Sequence, residues 1–241
     1  MYYSQRHDEI LEILKSRNHV TVHYLAEQLH VSEPTIRRDL SGLQNKKRIR
    51  RTFGGAAIHD LITDEVPLEL RQTQSLEAKE KIARQALRHI QDGQILFLDA
   101  SSTVQCMVKH LKQFRDLVVI TNSPKVSIML AEGNIRSFCT GGALLDKSIA
   151  YVGNDAENFI RQFNADLFFF SCRGLSEKGM LTDSSLEESS LRRVMMQHCK
   201  KRVLLCTSDK IGKSYLYNLC SLSDVDAIEC DAPLPPALLE K

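Results

Sequence analysis

The chain has 241 residues, 43% of them hydrophobic and 26% charged, with a formal net charge of +2, which suits one large or two modest soluble globular domains. Its longest apolar clusters, such as Leu167-Phe168-Phe169-Phe170, are strand-sized, which excludes a membrane-spanning helix; the opening MYYSQRHDEI has acids and no apolar signal-peptide core, so a cytoplasmic location is expected. The charge is uneven: residues 1–58 hold ten Lys/Arg against six acids, seven of those bases fall between Arg37 and Arg51, and only Asp39 opposes them there, a pattern expected of a polyanion binder.

Three short helical patterns open the chain. Ile10, Leu11, Ile13 and Leu14 give an apolar stripe to a helix over residues 7–17, and Asn18-His19 breaks it. Thr21 can cap a second helix that buries Val22, Leu25, Ala26 and Leu29. His30-Val31 turns the chain into Ser32, an N-cap for a third helix with Pro34 in its first turn, where no amide donor is needed. Ile36, Leu40 and Leu43 share one face of this third helix, while Pro34, Arg38 and Ser41 point the opposite way and Thr35 and Arg37 flank them. An apolar back and a front of donors suit a rod that enters a DNA major groove, where Arg reads guanine and hydroxyls reach phosphates or base edges. The basic stretch that follows, with Lys47, Arg50 and Arg51 before Phe53-Gly54-Gly55, reads as two short strands or a strand and a turn, a wing against the phosphate backbone.

These residues also carry a resemblance. Leu25-Ala26-Glu27, Val31-Ser32 and Thr35-Ile36-Arg37-Arg38-Asp39-Leu40 resemble the N-terminal reader of the DeoR/GlpR family of bacterial sugar-metabolism regulators, and Arg51-Thr52-Phe53-Gly54-Gly55-Ala56 resembles its wing ending. Where that family has a glycine before the wing, this chain has Lys47. On this reading residues 1–57 form a winged helix-turn-helix whose DNA contacts come from Thr21, Ser32, Pro34, Thr35, Arg37, Arg38, Ser41, Lys47, Arg50 and Arg51.

Residues 58–75 lose periodicity and are expected to be a linker. Helical spacing returns over residues 76–90, and then a βα rhythm begins. Strand candidates are residues 95–99, 117–121, 136–140, 167–171, 202–207 and 227–230, with helices expected over 104–111, 125–132, 156–163 and 187–199. Such alternation argues for a mostly parallel sheet covered by helices over residues 76–233, followed by a tail at 234–241. The strands end in polar loops: Asp99-Ala100-Ser101-Ser102-Thr103, Thr121-Asn122-Ser123, Thr140-Gly141-Gly142, Ser171-Cys172-Arg173-Gly174 and Thr207-Ser208-Asp209-Lys210. In a parallel sheet these emerge at one edge, where open α/β folds hold ligands, and Arg173 and Lys210 could pair with an anion. All seven cysteines lie beyond residue 105 without a CxxC pair, which points to reduced core thiols and no metal centre.

The second half resembles the effector domain of the same family, which is related in fold to ribose-5-phosphate isomerase. That resemblance implies an effector site lined by Asp99, Ser102, Thr103, Asn122, Glu188 and Lys210, taking a phosphorylated sugar or related metabolite, and the polar loops themselves add Ser101, Thr121, Gly141, Gly142 and Arg173 as candidates. This chain departs from the family pattern with Ser101 and Ser171 for glycines and Arg192 for a lysine. A DNA-binding repressor is therefore expected, acting on operator DNA as a homodimer or homotetramer, without cofactor, catalytic residue or metal. The rival reading is a sugar-phosphate enzyme using Asp99, Glu188 and Lys210, but no His falls in any of the five loops.

Overall fold

The computed structural model describes residues 3–17, 19–45, 49–52, 55–58 and 66–239, and the chain divides into two compact units, Met1–Asp64 and Glu65–Lys241. The first contains α1 (Tyr3–Arg17), β1 (His19–Thr21), α2 (Val22–Gln28), α3 (Glu33–Asn45), β2 (Ile49–Thr52) and β3 (Gly55–Ile58). Its core gathers Ile10 and Leu14 of α1, Val22 and Leu25 of α2, and Ile36, Leu40 and Leu43 of α3, which are the apolar stripes of the three sequence patterns. The Thr21 hydroxyl caps α2 by accepting from Tyr24 N at 3.1 Å. His30 turns the chain toward α3 with a left-handed φ of 50°.

The wing is two antiparallel strands, β2 and β3. Beyond what the sequence indicates, residues 19–21 do more than break a helix: β1 pairs with β3, setting Val20 against Ala56 and Thr21 against Gly55. A Cβ on Gly55 would run into the Val20 carbonyl, so the close approach of these strands requires glycine there. Asp39 is fully buried on the inner side of α3. It takes a two-nitrogen contact from Arg6, with Nη2 at 3.2 Å, and lies 3.6 Å from His7 Nε2, so it ties α3 to α1.

The second unit begins with α4 (Leu68–Thr73) and α5 (Leu76–Ala86), then β4 (Ile95–Leu98), α6 (Ser102–Val108), β5 (Val118–Thr121), α7 (Pro124–Glu132) and β6 (Arg136–Cys139). There follow β7 (Ala143–Leu145), β8 (Ala150–Val152), α8 (Asn154–Ile160), β9 (Ala165–Phe170), β10 (Gly174–Leu175), β11 (Met180–Asp183) and α9 (Leu186–Gln197). The unit ends with β12 (Cys199–Cys206), β13 (Tyr217–Ser221), β14 (Ala227–Cys230) and α10 (Pro236–Leu239). The six apolar runs read as strands form one sheet in the order β14-β12-β9-β4-β5-β6, and every neighbouring pair is parallel.

Strand residues alternate between two cores. Leu96, Leu98, Val119, Leu167, Phe169, Val203 and Leu205 pack under α5, α6 and α7. Phe97, Ile120, Phe168, Phe170 and Leu204 pack on the other face against α8 and α9. Burial on both faces is why these strands read as unbroken apolar runs. A hairpin of β7 with β8 and a small sheet of β10, β11 and β13 complete the unit.

Two boundaries differ from the sequence reading. The stretch expected to be a linker contains α4, whose Leu68 is 1% exposed and whose Leu68 N donates to Lys147 O at 2.7 Å. The expected tail contains α10, and Leu238 is buried in the core beside α9. Both segments are too short to show a helical period, and a single buried leucine anchors each.

Candidate functional site

The outer side of α3 is the first candidate site. With Ile36, Asp39, Leu40 and Leu43 buried, Pro34, Arg37 and Arg38 are exposed. Arg38 makes no ion pair or hydrogen bond among the described residues. Arg37 is held by Glu33 one turn back, at 3.3 Å. Ser32 and Thr35, at the start of the helix, share a hydroxyl contact of 2.9 Å. Ser41 is half-buried and donates to Arg37 O at 2.8 Å, so its hydroxyl serves its own helix rather than standing outward beside Arg38. Thr21 is exposed, with its hydroxyl engaged in the α2 cap. Lys47 lies outside the described residues, as do the side chains of Arg50 and Arg51.

The second candidate site lies at the carboxyl edge of the six-stranded sheet. From β4 the chain steps outward to β5 and β6, then returns to β9 on β4's other side and steps outward to β12 and β14. The direction reverses between β4 and β9, which is where crevices open in such sheets. Asp99 stands there, 1% exposed. Its Oδ1 accepts from Ser101 N at 2.9 Å, and its Oδ2 accepts from Ser171 N at 3.1 Å and Arg192 Nε at 2.9 Å.

Arg192 reaches up from α9 and joins three acids. Besides Asp99 it donates to Asp183 Oδ2 at 2.8 Å and to Glu188 Oε1 at 3.4 Å. Burial opposes its charge, but Asp183, Glu188 and Asp99 together outweigh that and hold the guanidinium more firmly protonated than usual. Asp183 also faces Arg173 at 3.8 Å. On the β12 side, Lys210 donates to Ser171 Oγ at 2.7 Å, and that hydroxyl donates to Leu205 O at 2.6 Å. Beneath them the Cys172 thiol is lowered from its usual value by a hydrogen bond from Cys206, against the effect of burial, with Lys210 and Arg192 adding to the lowering. None of the seven cysteines is in a disulfide.

Structure therefore joins Asp99, Arg173, Glu188 and Lys210 through Arg192, Asp183 and Ser171. The other anticipated residues divide by what they do. Ser101 caps α6 by accepting from Val104 N at 3.2 Å, and Thr121 Oγ1 accepts from Ser123 N at 3.1 Å, so both hold loop geometry. Ser102 is buried at the first turn of α6. Thr103 Oγ1 and Asn122 Oδ1 are buried with no hydrogen-bond partner among the described residues, although Asn122 Nδ2 donates to Tyr151 O at 3.0 Å. Gly141 and Gly142 both have positive φ; a Cβ on Gly142 would lie 2.7 Å from Val152 O, whereas Gly141 faces open space. Two residues were not anticipated: Asp183, which pairs with Arg192, and Lys79 of α5, a buried lysine. Asp183 ends a strand outside the βα rhythm, and Lys79 sits in an amphipathic helix where lysine is ordinarily solvated. No group of three or more metal-binding side chains occurs among the described residues, and none of their helices is long and apolar enough to cross a membrane.

Comparison with known proteins covers both units. The DeoR-like helix-turn-helix domain family matches residues 6–61, and the DeoR C terminal sensor domain family matches residues 74–232. The glycerol-3-phosphate regulon repressor of Escherichia coli (strain K12) is 30% identical over 100% of this chain and 95% of its own. The HTH-type transcriptional repressor GlcR of Bacillus subtilis is 32% identical over 96% of this chain and 89% of its own. Among solved structures, eIF2B delta from Chaetomium thermophilum aligns with a TM-score of 0.51 at 14% identity, over 69% of this chain and 60% of that one, a likeness of fold alone. A ribose-5-phosphate isomerase bound to phospho-erythronic acid aligns over 56% of this chain and 54% of its own, with a TM-score of 0.43 and 17% identity. The chain belongs to the DeoR family of transcriptional regulators, its helix-turn-helix reader in the first unit and its sensor domain in the second.

Proposed function

We propose that this protein is a cytoplasmic repressor of carbohydrate-metabolism genes, that α3 enters the major groove of its operator, and that the crevice beside Asp99 binds a phosphorylated sugar or related metabolite that lowers operator affinity. The observation that carries the reader is the division of α3: Ile36, Leu40 and Leu43 inward, Arg38 outward and unpaired among the described residues. Thr35, Arg37 and Pro34 border Arg38, with Ser32 and Thr21 at the starts of the two helices and Lys47, Arg50 and Arg51 as backbone contacts from the wing. A single small reader makes limited contact, so a homodimer or homotetramer spanning paired half-sites completes the assembly.

For the sensor, the support is a set of buried polar groups with unused capacity. Thr103 Oγ1 and Asn122 Oδ1 lack partners among the described residues, and such atoms are expensive to bury unless something meets them. The names of the relatives, among them a glycerol-3-phosphate regulon repressor and a lactose phosphotransferase system repressor of Staphylococcus epidermidis, favour a phosphorylated ligand. Arg192 favours sensing over turnover. Asp99 and Glu188, the acids an isomerase would need free, are both held by one permanently charged guanidinium.

The test is a panel of sugar phosphates against the full-length protein, read by thermal stabilisation, operator binding and product formation. A ligand that raises the melting temperature and releases DNA without being converted is the expected result. Turnover of any member would replace the sensor by an enzyme.

A further inference from the structure

The segment before α5 is tied to several elements around the candidate sensor site. Leu68 N donates to Lys147 O in the turn after β7, and Arg173 Nη2 reaches Val66 O at 3.5 Å from the loop after β9. Gln72 Nε2 donates to Gln105 Oε1 on α6 at 2.7 Å, and Lys125 at the start of α7 reaches Gln72 Oε1 at 3.4 Å. The first anchor is the β7–β8 turn and the other three follow β9, β4 and β5, so residues 66–74 form a strap tied to segments beyond the carboxyl ends of those three strands. The strap joins α5 through Ser75, a non-glycine residue with φ 50°, a conformation held by its surroundings rather than by preference.

Lys79 fastens the end of this strap. Its side chain is buried, 4% of the residue being exposed, and its ammonium donates to the carbonyls of Arg71 and Gln74, the latter at 2.6 Å. No carboxylate pairs with it among the described residues. Around it stand Lys210 and Asp209 from the turn after β12, Arg71 from the strap and Cys106 from α6. A buried ammonium met only by neutral carbonyls, with Lys210 and Arg71 close by, is short of negative charge. Burial first, and Lys210 next, lower its pKa to about 8.

We propose that residues 66–74 form a closed strap over the crevice and that Lys79 is its latch: the anionic group of the effector takes the Lys79 ammonium, shared with Lys210, away from the carbonyls of Arg71 and Gln74 and so frees the strap. This rests on the reading of the crevice as an effector site and adds a binding residue and a transmission step to it. A phosphoryl group brings two charges and several acceptors to two lysines, a stronger partner for each than a carbonyl. The freed strap is the stretch of chain that leads back to the reader, so loosening it alters the tether of the DNA-binding unit without any change in the sheet.

Hydrogen exchange of the full-length protein over residues 66–75 tests this, with inorganic phosphate as the probe and thermal stabilisation as the second measurement. In the parent, phosphate is expected to speed strap exchange while raising the melting temperature. Lys79→Met is expected to exchange rapidly in the strap without phosphate and to bind phosphate about tenfold more weakly. Lys79→Arg keeps the charge and is expected to retain the response, which guards against a Met variant that folds poorly. Phosphate that stabilises the parent and Lys79→Met alike, or leaves strap exchange unchanged, overturns the latch. If that stabilisation is lost in Thr103→Val, the effector crevice still stands. A parent that responds neither to phosphate nor to any sugar phosphate overturns both.

Discussion

Asp39 and Arg38 are adjacent in sequence and face opposite ways, and their substitutions should fail in opposite ways. Asp39 is the sole acid in the basic stretch from Arg37 to Arg51, yet it is fully buried and its partners Arg6 and His7 come from α1. Removing the carboxylate by Asp39→Ala deletes the buried two-nitrogen contact to Arg6 that ties α3 to α1, and a loss of about 3–5 kcal/mol in stability of the reader is expected by urea unfolding. Arg38→Ala removes an exposed side chain. It should change stability by no more than about 0.5 kcal/mol while weakening operator binding by about 1–3 kcal/mol in a titration. A stable Asp39→Ala protein would show that the α1–α3 tie is dispensable. Lys79 makes a prediction in pH. With its pKa lowered to about 8 from the ordinary 10.5, the unfolded chain holds more protons than the folded one between those values. The folded state is therefore penalised in full below about pH 8 and gains stability as pH rises toward 10.5. Unfolding of the parent should show this gain relative to Lys79→Met, measured at pH steps across that window.

At the scale of elements, what the sequence makes visible is what repeats. The six parallel strands stand out because both their faces are buried, and the first three helices because each turns one apolar stripe inward. The pieces that escaped are short and half-wrapped. β7 has two exposed residues of three, β10 has two residues in all, and α4 spans six. Strand order escaped as well, since composition says nothing about which side of β4 receives β9. The site was legible as a set of polar loops and illegible as a network. Arg192 stood out only as a replaced lysine, because its partner Asp99 lies 93 residues away in sequence. The glycine pair shows how a loop motif can serve architecture. A Cβ on Gly142 meets Val152 O and Ala156 of the following strand and helix, while one on Gly141 meets nothing. Gly142→Ala should therefore lower the melting temperature more than Gly141→Ala, with strain and collision adding to about 1–3 kcal/mol. Equal effects would mean that φ alone, and not the β8–α8 approach, selects glycine there.

At the scale of the whole molecule, the proposed operator and effector binding, one in each unit, must be linked by a free energy that runs both ways. If an effector reduces operator affinity tenfold, the operator must reduce effector affinity tenfold, about 1.4 kcal/mol in either direction. Salt separates the two ends of this linkage. On the proposed reading operator binding rests on the bases of the reader, and with about 6–10 phosphate contacts it should weaken by roughly 10³–10⁵ between 50 and 200 mM salt. The buried groups around Arg192 and Lys79 are shielded from bulk ions and should respond far less. Titrating a stabilising sugar phosphate into the protein with and without saturating operator, at two salt concentrations where the operator still binds, measures both legs. The expected outcome is a ligand affinity lowered by the operator by the same factor at which the ligand releases DNA, with the salt dependence confined to the DNA leg. A ligand whose own affinity falls with salt as steeply as the DNA leg, and which operator excludes, would be competing at the reader itself. The crevice at the β4–β9 switch point would then have no part in repression.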